Sequence, residues 1–188
     1  MQRPRNGKTK WVVYAKAPFG GPEQVLTMSL TSSPDGQMIY FGAGGAIWAV
    51  PSGGGQPKKV TTGDYALMEP SGLSLIVKRL EATRQPLFRV PLGGGPEREM
   101  PIDEGSAFTA GALTSGAMNA KGQLLGWLDM PDSYNQLAVL NTAAGRVTRL
   151  AVDQDNSYNS ASWTADGHIV ALRFGLRATL WKFTPVPH

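Results

Sequence analysis

Cysteine is absent from this 188-residue chain. That excludes disulfides, thiolate-held zinc and a thiol nucleophile. Histidine is nearly absent too: His168 and His188 are the only two, too few for a His-ligated zinc site. No Gly-x-Ser-x-Gly pentapeptide occurs, so the nucleophile elbow of a serine hydrolase is missing. Charged residues make up 17%, below the ~25% of average globular domains, which argues against long solvated helices. No apolar run approaches the ~20 residues of a membrane-spanning helix. The apolar stretch after the basic N-terminus, Trp11–Tyr14, is interrupted by Lys16 and Pro18, too early for a signal-peptide core. The expectation is a soluble chain without an export signal of its own. It is cytoplasmic by default, and extracytoplasmic if it is a piece of a sensor or periplasmic protein.

Turn residues and short apolar runs are abundant. The 23 Gly and 14 Pro are spread at intervals, which reads as many turns rather than a disordered tail. Between them lie runs rich in β-branched and aromatic residues, among them Met38–Phe41, Ile47–Val50, Leu73–Val77, Leu87–Val90, Leu124–Leu128, Leu137–Leu140 and Ile169–Phe174. Each is bounded by Gly, Pro, Asp or Asn, the punctuation of strands. No long window keeps a helical period free of Gly or Pro, so the chain reads as all-β. The net charge is +4, and part of it sits on Arg3, Arg5, Lys8 and Lys10. Residues 1–10 are expected to be a flexible basic arm and 11–188 the folded repeats. Elsewhere the basic clusters are only Lys58-Lys59 and Lys78-Arg79, so no nucleic-acid footprint is expected.

The runs recur in a fixed order. Ser33-Pro34-Asp35-Gly36 precedes Met38–Phe41, then Ala46–Val50, the turn Gly53-Gly54-Gly55, and Lys58–Thr61. The order returns from Pro70-Ser71-Gly72 through Gly93-Gly94-Gly95 to Glu97–Met100, and again around Gly122 and Asp166-Gly167. Several four-stranded units at a spacing of ~40–45 residues predict a β-propeller of antiparallel blades. Strands a to d, inside to outside, are predicted as 28–31, 38–41, 46–50 and 58–61 in the first unit. In the second they are 66–68, 73–77, 87–90 and 97–100. In the third, a lies within 109–117, followed by 124–128, 137–140 and 147–150. The fourth has 160–163, 169–174 and 179–183. Trp11–Tyr14 and Gln24–Thr27 read as a half-blade at the N-terminus, so there are about four blades and a half. Three arrangements fit: a ring closed by an N-terminal strand, a fragment of a larger ring, and two chains completing one ring.

The phrases Ser33-Pro34-Asp35-Gly36, Ile39-Tyr40-Phe41, Ile47-Trp48-Ala49-Val50 and Gly53-Gly54-Gly55 resemble the WD40-like repeat of TolB-type β-propellers. Leu87-Phe88-Arg89-Val90-Pro91 and Ser162-Trp163-Thr164-Ala165-Asp166-Gly167 extend the resemblance over roughly residues 11–183. The second unit departs from it, with Ser71 where the motif has Asp. The resemblance implies a bacterial protein-binding platform or a sensor module. Similar propellers also cap serine peptidases. The repeat motif carries no catalytic residues, so none is transferred.

The residues themselves supply little chemistry. The Gly triplets are not followed by Lys-Ser/Thr opening a helix, as a phosphate loop requires. Asp153, Asp155 and Ser157 alternate like the start of a calcium loop, but the turn Gly and the distal Glu of such a loop are missing. No metal or cofactor is expected. Trp48, Trp127, Trp163 and Trp181 are expected to pack between blades. The d-to-a connections share one pattern, polar or acidic residues followed by an aromatic. The candidate binding residues are therefore Asp64, Tyr65, Asp103, Glu104, Phe108, Asp153, Asp155 and Tyr158. They are expected on one face, around the central channel. The function expected is a non-catalytic scaffold or sensor module that binds a protein or peptide, with self-association as a way to complete the ring. The alternative is a propeller hydrolase or lyase using paired carboxylates such as Asp64 and Asp153, which must approach within ~5–10 Å.

Overall fold

The computed structural model describes residues 29–103, 108–111, 113–114, 116–128, 136–150 and 157–174. The expected strands at 11–14, 24–27 and 179–183, and Trp181, lie outside them. The described residues form fourteen strands in three four-stranded antiparallel sheets and one two-stranded sheet. The first blade is β1 (Leu30–Ser32), β2 (Met38–Ala43), β3 (Ala46–Pro51) and β4 (Lys58–Thr62). The second is β5 (Tyr65–Met68), β6 (Ser74–Lys78), β7 (Leu87–Pro91) and β8 (Arg98–Glu99). The third is β9 (Phe108–Thr109), β10 (Gln123–Leu128), β11 (Gln136–Asn141) and β12 (Val147–Arg149). β13 (Ser157–Trp163) and β14 (Ile169–Phe174) pair alone. Within each sheet, neighbours in sequence are neighbours in space, the meander of a propeller blade.

The repeated phrase forms the connection from the first to the second strand of each blade. In all four units the Gly amide donates to the carbonyl three residues earlier: Gly36 to Ser33, Gly72 to Glu69, Gly122 to Asn119 and Gly167 to Thr164. All four glycines have positive φ, between 69 and 85°, where a side chain would be strained. A polar side chain braces each turn. Asp35 Oδ1 accepts from the Gln37 amide at 3.0 Å. Ser71, which stands where the motif has Asp, does the same through its hydroxyl, accepting from the Leu73 amide at 3.3 Å. Leu73 therefore belongs to the turn, where it is 71% exposed, and the strand begins at Ser74.

The third blade departs from expectation. Its first strand is only Phe108–Thr109, beginning one residue before the predicted window and ending at its first residue. Thr109 pairs with Trp127, and Met118 bridges Leu124. Between these rungs the inner chain is much longer than its partner, so it loops out and returns. Leu113 and Ala117 on this detour are buried, packing with Leu124 and Leu140. The detour keeps an inner strand's place while breaking its ladder, which the small residues there could not reveal.

Three apolar seams hold the blades together. Tyr40, Ile47 and Ala49 of the first blade meet Ala66, Met68, Leu75 and Val77 of the second. Leu67, Ile76 and Leu87 of the second meet Phe108, Leu124, Ala138 and Leu140 of the third. Leu125, Leu137 and Val139 of the third meet Ala161, Trp163, Ile169 and Ala171. Strand β6 is buried along its length because it faces a blade on either side, and so lacks the alternation of a half-exposed strand. The inner strands are joined by side chains. The Ala66 amide donates to Ser29 Oγ at 2.8 Å, and the Met68 amide to Thr31 Oγ1 at 3.2 Å. These bonds satisfy backbone donors that an inner edge would otherwise leave unpaired.

Candidate functional site

The connection from β4 to β5 places Asp64 and Tyr65 beside the end of β6. Asp64 Oδ2 accepts from the Leu80 amide at 2.8 Å, and the Asp64 amide donates to the Lys78 carbonyl at 3.0 Å. Tyr65 lies directly opposite Lys78 in the ladder, and Lys78 Nζ sits 4.8 Å from the centre of its ring, within cation–π range. The Lys78 ammonium then crosses to the third blade. It donates to the Ala110 carbonyl at 2.6 Å and approaches that of Gly111 at 3.4 Å. Lys78 is 5% exposed. Burial pulls its pKa below the usual lysine value, and the nearby Asp64 carboxylate partly offsets this.

Gly111 continues the line. A methyl group there would lie 1.9 Å from Trp127 Cζ3, so the indole rests on the bare backbone. Trp127 Nε1–H donates to the Tyr158 carbonyl at 2.7 Å, reaching the fourth unit. Tyr65, Lys78, Ala110-Gly111, Trp127 and Tyr158 thus form one chain of contacts across three units. Tyr65, Trp127 and Tyr158 are each half-buried, so each both packs and presents surface.

The remaining candidates divide. Phe108 is 8% exposed and belongs to the seam between the second and third blades. Its ring occupies the space over Gly126, where a methyl would lie 2.4 Å from Cζ. Asp103 is exposed, but its Oδ2 accepts from the Val147 amide at 2.9 Å and its own amide donates to Gly145 at 2.9 Å. It therefore braces the outermost strand of the third blade rather than joining Asp64 on the inner strands. Glu104, Asp153 and Asp155 lie outside the described residues, as does the hairpin at 129–135. The Asp64–Asp153 pair required by the enzymatic alternative therefore has no described geometry. Among the described residues no group of three or more His, Asp or Glu stands close enough to hold a metal ion. His168 lies in the last of the four turns, where its amide donates to Thr164 Oγ1 at 2.9 Å and its Nδ1 lies 3.0 Å from Asp166 Oδ2.

Two members of the line, Lys78 and Trp127, were not among the candidates. Lys78 ends an apolar strand, where a lysine usually marks the solvated end of a run. Trp127 has the position of a packing residue, and it packs. The only sequence signal was the run of small residues at 110–112, which reads equally as a crowded inner strand; Ala110 and Gly111 in it accommodate both side chains.

The fold defined by these blades is a TolB-like β-propeller. Among solved structures the chain is similar to a TolB-type protein from Agrobacterium tumefaciens, with a TM-score of 0.60 and 18% identity over 76% of this chain and 52% of that one. It is similar to TolB from Acinetobacter baumannii, with a TM-score of 0.55 and 18% identity over 79% of this chain and 40% of that one. It is also similar to a chain of a nidogen/laminin complex, with a TM-score of 0.53 and 14% identity over 76% of this chain and 54% of that one. The chain thus spans about half the length of these propeller structures or less. No family model matches it, and no curated protein matches it.

Proposed function

We propose that this propeller is a non-catalytic scaffold that recognises an extended protein or peptide segment along the line from Tyr65 to Tyr158. The observation that carries the reading is the chain of contacts from Tyr65 through Lys78 and Trp127 to Tyr158. It joins the half-exposed rings of Tyr65 and Trp127, on two blades, through Lys78 and the 110–111 backbone, and ties Trp127 to the main chain at Tyr158 of the fourth unit. Rigid aromatics anchored by packing and hydrogen bonds are the usual energetic centres of protein interfaces, and a row of them suits a ligand longer than a small molecule. Asp64 beside Tyr65 supplies an acceptor for a donor on that ligand. Support of a coarser kind comes from the similar folds, one of which belongs to a nidogen/laminin complex.

The test is selection of peptides from a random display library on the wild-type protein, followed by affinity measurement on Tyr65→Ala and Tyr158→Ala. Each substitution is expected to weaken the selected peptides by roughly tenfold or more, the scale of an interface anchor. Peptides that bind both variants as tightly as wild type would remove the line from the interface.

A further inference from the structure

Most of the described carboxylates already have a basic partner. Glu69 pairs with Arg89, Glu81 and Glu99 with Arg84, Glu97 with Arg79, and Asp166 with His168. Among the described residues, Asp35, Asp64 and Asp103 have none. Asp35 braces the first turn through the Gln37 amide, and Asp103 braces the outer strand of the third blade through the Val147 amide. Asp64 differs from both in place. It is half-buried, it adjoins Tyr65 on the binding line, and among the described residues only its Oδ2 accepts a hydrogen bond, from the Leu80 amide at 2.8 Å.

The cations nearest to Asp64 in the second blade are engaged elsewhere. The Lys78 ammonium lies over the Tyr65 ring and donates to the Ala110 carbonyl. The Arg79 guanidinium lies 4.0 Å from the centre of the Phe88 ring, donates to the Thr62 carbonyl and pairs with Glu97. Arg84 is shared by Glu81 and Glu99. Asp64 is also held in place. Its amide donates to the Lys78 carbonyl, and its own carbonyl sits so close over Gly42 that a methyl there would lie 2.0 Å from it. The bond that holds Oδ2 sets Leu80 alongside, and Leu80 is 46% exposed. A fixed carboxylate flanked by an open apolar side chain and a tyrosine matches the make-up of a long basic side chain, which has an aliphatic stem and a charged head.

We infer that the segment recognised along this line presents an arginine or lysine to Asp64, with its charged head on Oδ1 and its stem against Leu80 beside Tyr65. The inference rests on the reading of the line as a peptide interface and adds the chemistry of one position on the partner. Charge complementarity selects the occupant. An acidic or neutral side chain at this place would leave the Asp64 charge without a counter-charge once the segment covers it, which is costly, whereas a basic one forms a charge-assisted bond there.

The peptides selected from a random display library on the wild-type protein test this when they are sequenced and measured again on Asp64→Asn. Asparagine keeps an oxygen for the Leu80 amide, so the connection is preserved and only the charge is removed. The selected peptides are expected to share an Arg or Lys at one position. Their affinity should fall roughly tenfold on Asp64→Asn, and added salt should weaken the wild-type complex more than the variant complex. Exchanging the shared basic residue of the peptide for Gln should cost a similar factor on wild type and little on Asp64→Asn. Selected peptides with no common basic position overturn the inference, as does an affinity unchanged by Asp64→Asn. If Tyr65→Ala and Tyr158→Ala weaken the peptides while Asp64→Asn does not, the line stands and its basic position falls. If only Asp64→Asn weakens them, the basic position stands and the line falls. A library that yields no binding peptide removes both.

Discussion

Gly111→Ala is the sharpest perturbation of the contact line. The new methyl would lie 1.9 Å from Trp127 Cζ3, 2.5 Å from Cη2 and 3.0 Å from Cε3, against a normal carbon contact of ~3.5–4.0 Å. The indole must retreat by about 1.5–2 Å, which breaks its 2.7 Å bond to the Tyr158 carbonyl. Losing that bond costs ~0.5–1.5 kcal/mol, and overpacking a seam costs ~1–3 kcal/mol. Restricting the unfolded chain returns only ~0.4–1 kcal/mol. The net expectation is a destabilisation of about 0.5–4 kcal/mol. It is read from urea unfolding followed by far-UV circular dichroism, with an unchanged denaturant slope. Trp127→Leu removes the ring that the methyl strikes. The double variant should therefore be nearly as stable as Trp127→Leu alone, a coupling of at least ~1 kcal/mol. A Gly111→Ala protein within ~0.5 kcal/mol of wild type, or strict additivity with Trp127→Leu, would refute the placement of the indole on Gly111.

Phe108→Ala should destabilise by about 3–5 kcal/mol, because it empties a filled seam; urea unfolding would show it, and the half-exposed Tyr65→Ala and Tyr158→Ala should lose less. Thr31→Val keeps the shape but strips the acceptor from the buried Met68 amide, an expected loss of ~1–3 kcal/mol; a neutral result would mean that this bond does not join the inner strands. The Ser33 hydroxyl and then the Gln37 amide hold Asp35 below its usual 3.8, and the Thr164 hydroxyl and then His168 do the same for Asp166. Because the folded values are depressed, both contributions are present above 3.8 and are lost as pH falls through the lower folded values. Acid titration of the unfolding midpoint should therefore show a decline in this window that is shallower in Asp35→Asn with Asp166→Asn; equal slopes would reject the turn bonds.

The blades were legible because their information is local. The four turn glycines sit at equivalent places since each needs positive φ, and Ser71 could replace Asp because a hydroxyl also braces the turn. The expected runs at 38–41, 46–50, 58–61, 87–90 and 169–174 all fall within strands. The candidate site was legible only in part. Asp64 and Tyr65 do stand together beside the inner strands. Phe108 and Asp103 share their sequence pattern yet go elsewhere, one into a seam and one to the outer edge of the third blade. A rule of polar residues before an aromatic finds the connection but not the direction in which each side chain leaves it.

By itself, then, the amino-acid order determined the strands, their turns and the propeller class, because hairpin register depends on residues a few positions apart. The tertiary structure decided which faces meet. Lys78 finds Ala110, Trp127 finds Tyr158, and Ser29 finds Ala66 only after separate blades have stacked. Such contacts join residues distant in the chain and depend on the space left by neighbouring blades, so no short motif encodes them. The same stacking distinguishes Ile76, sealed between two blades, from Val170 and Leu172, which occupy similar places in a strand and remain open.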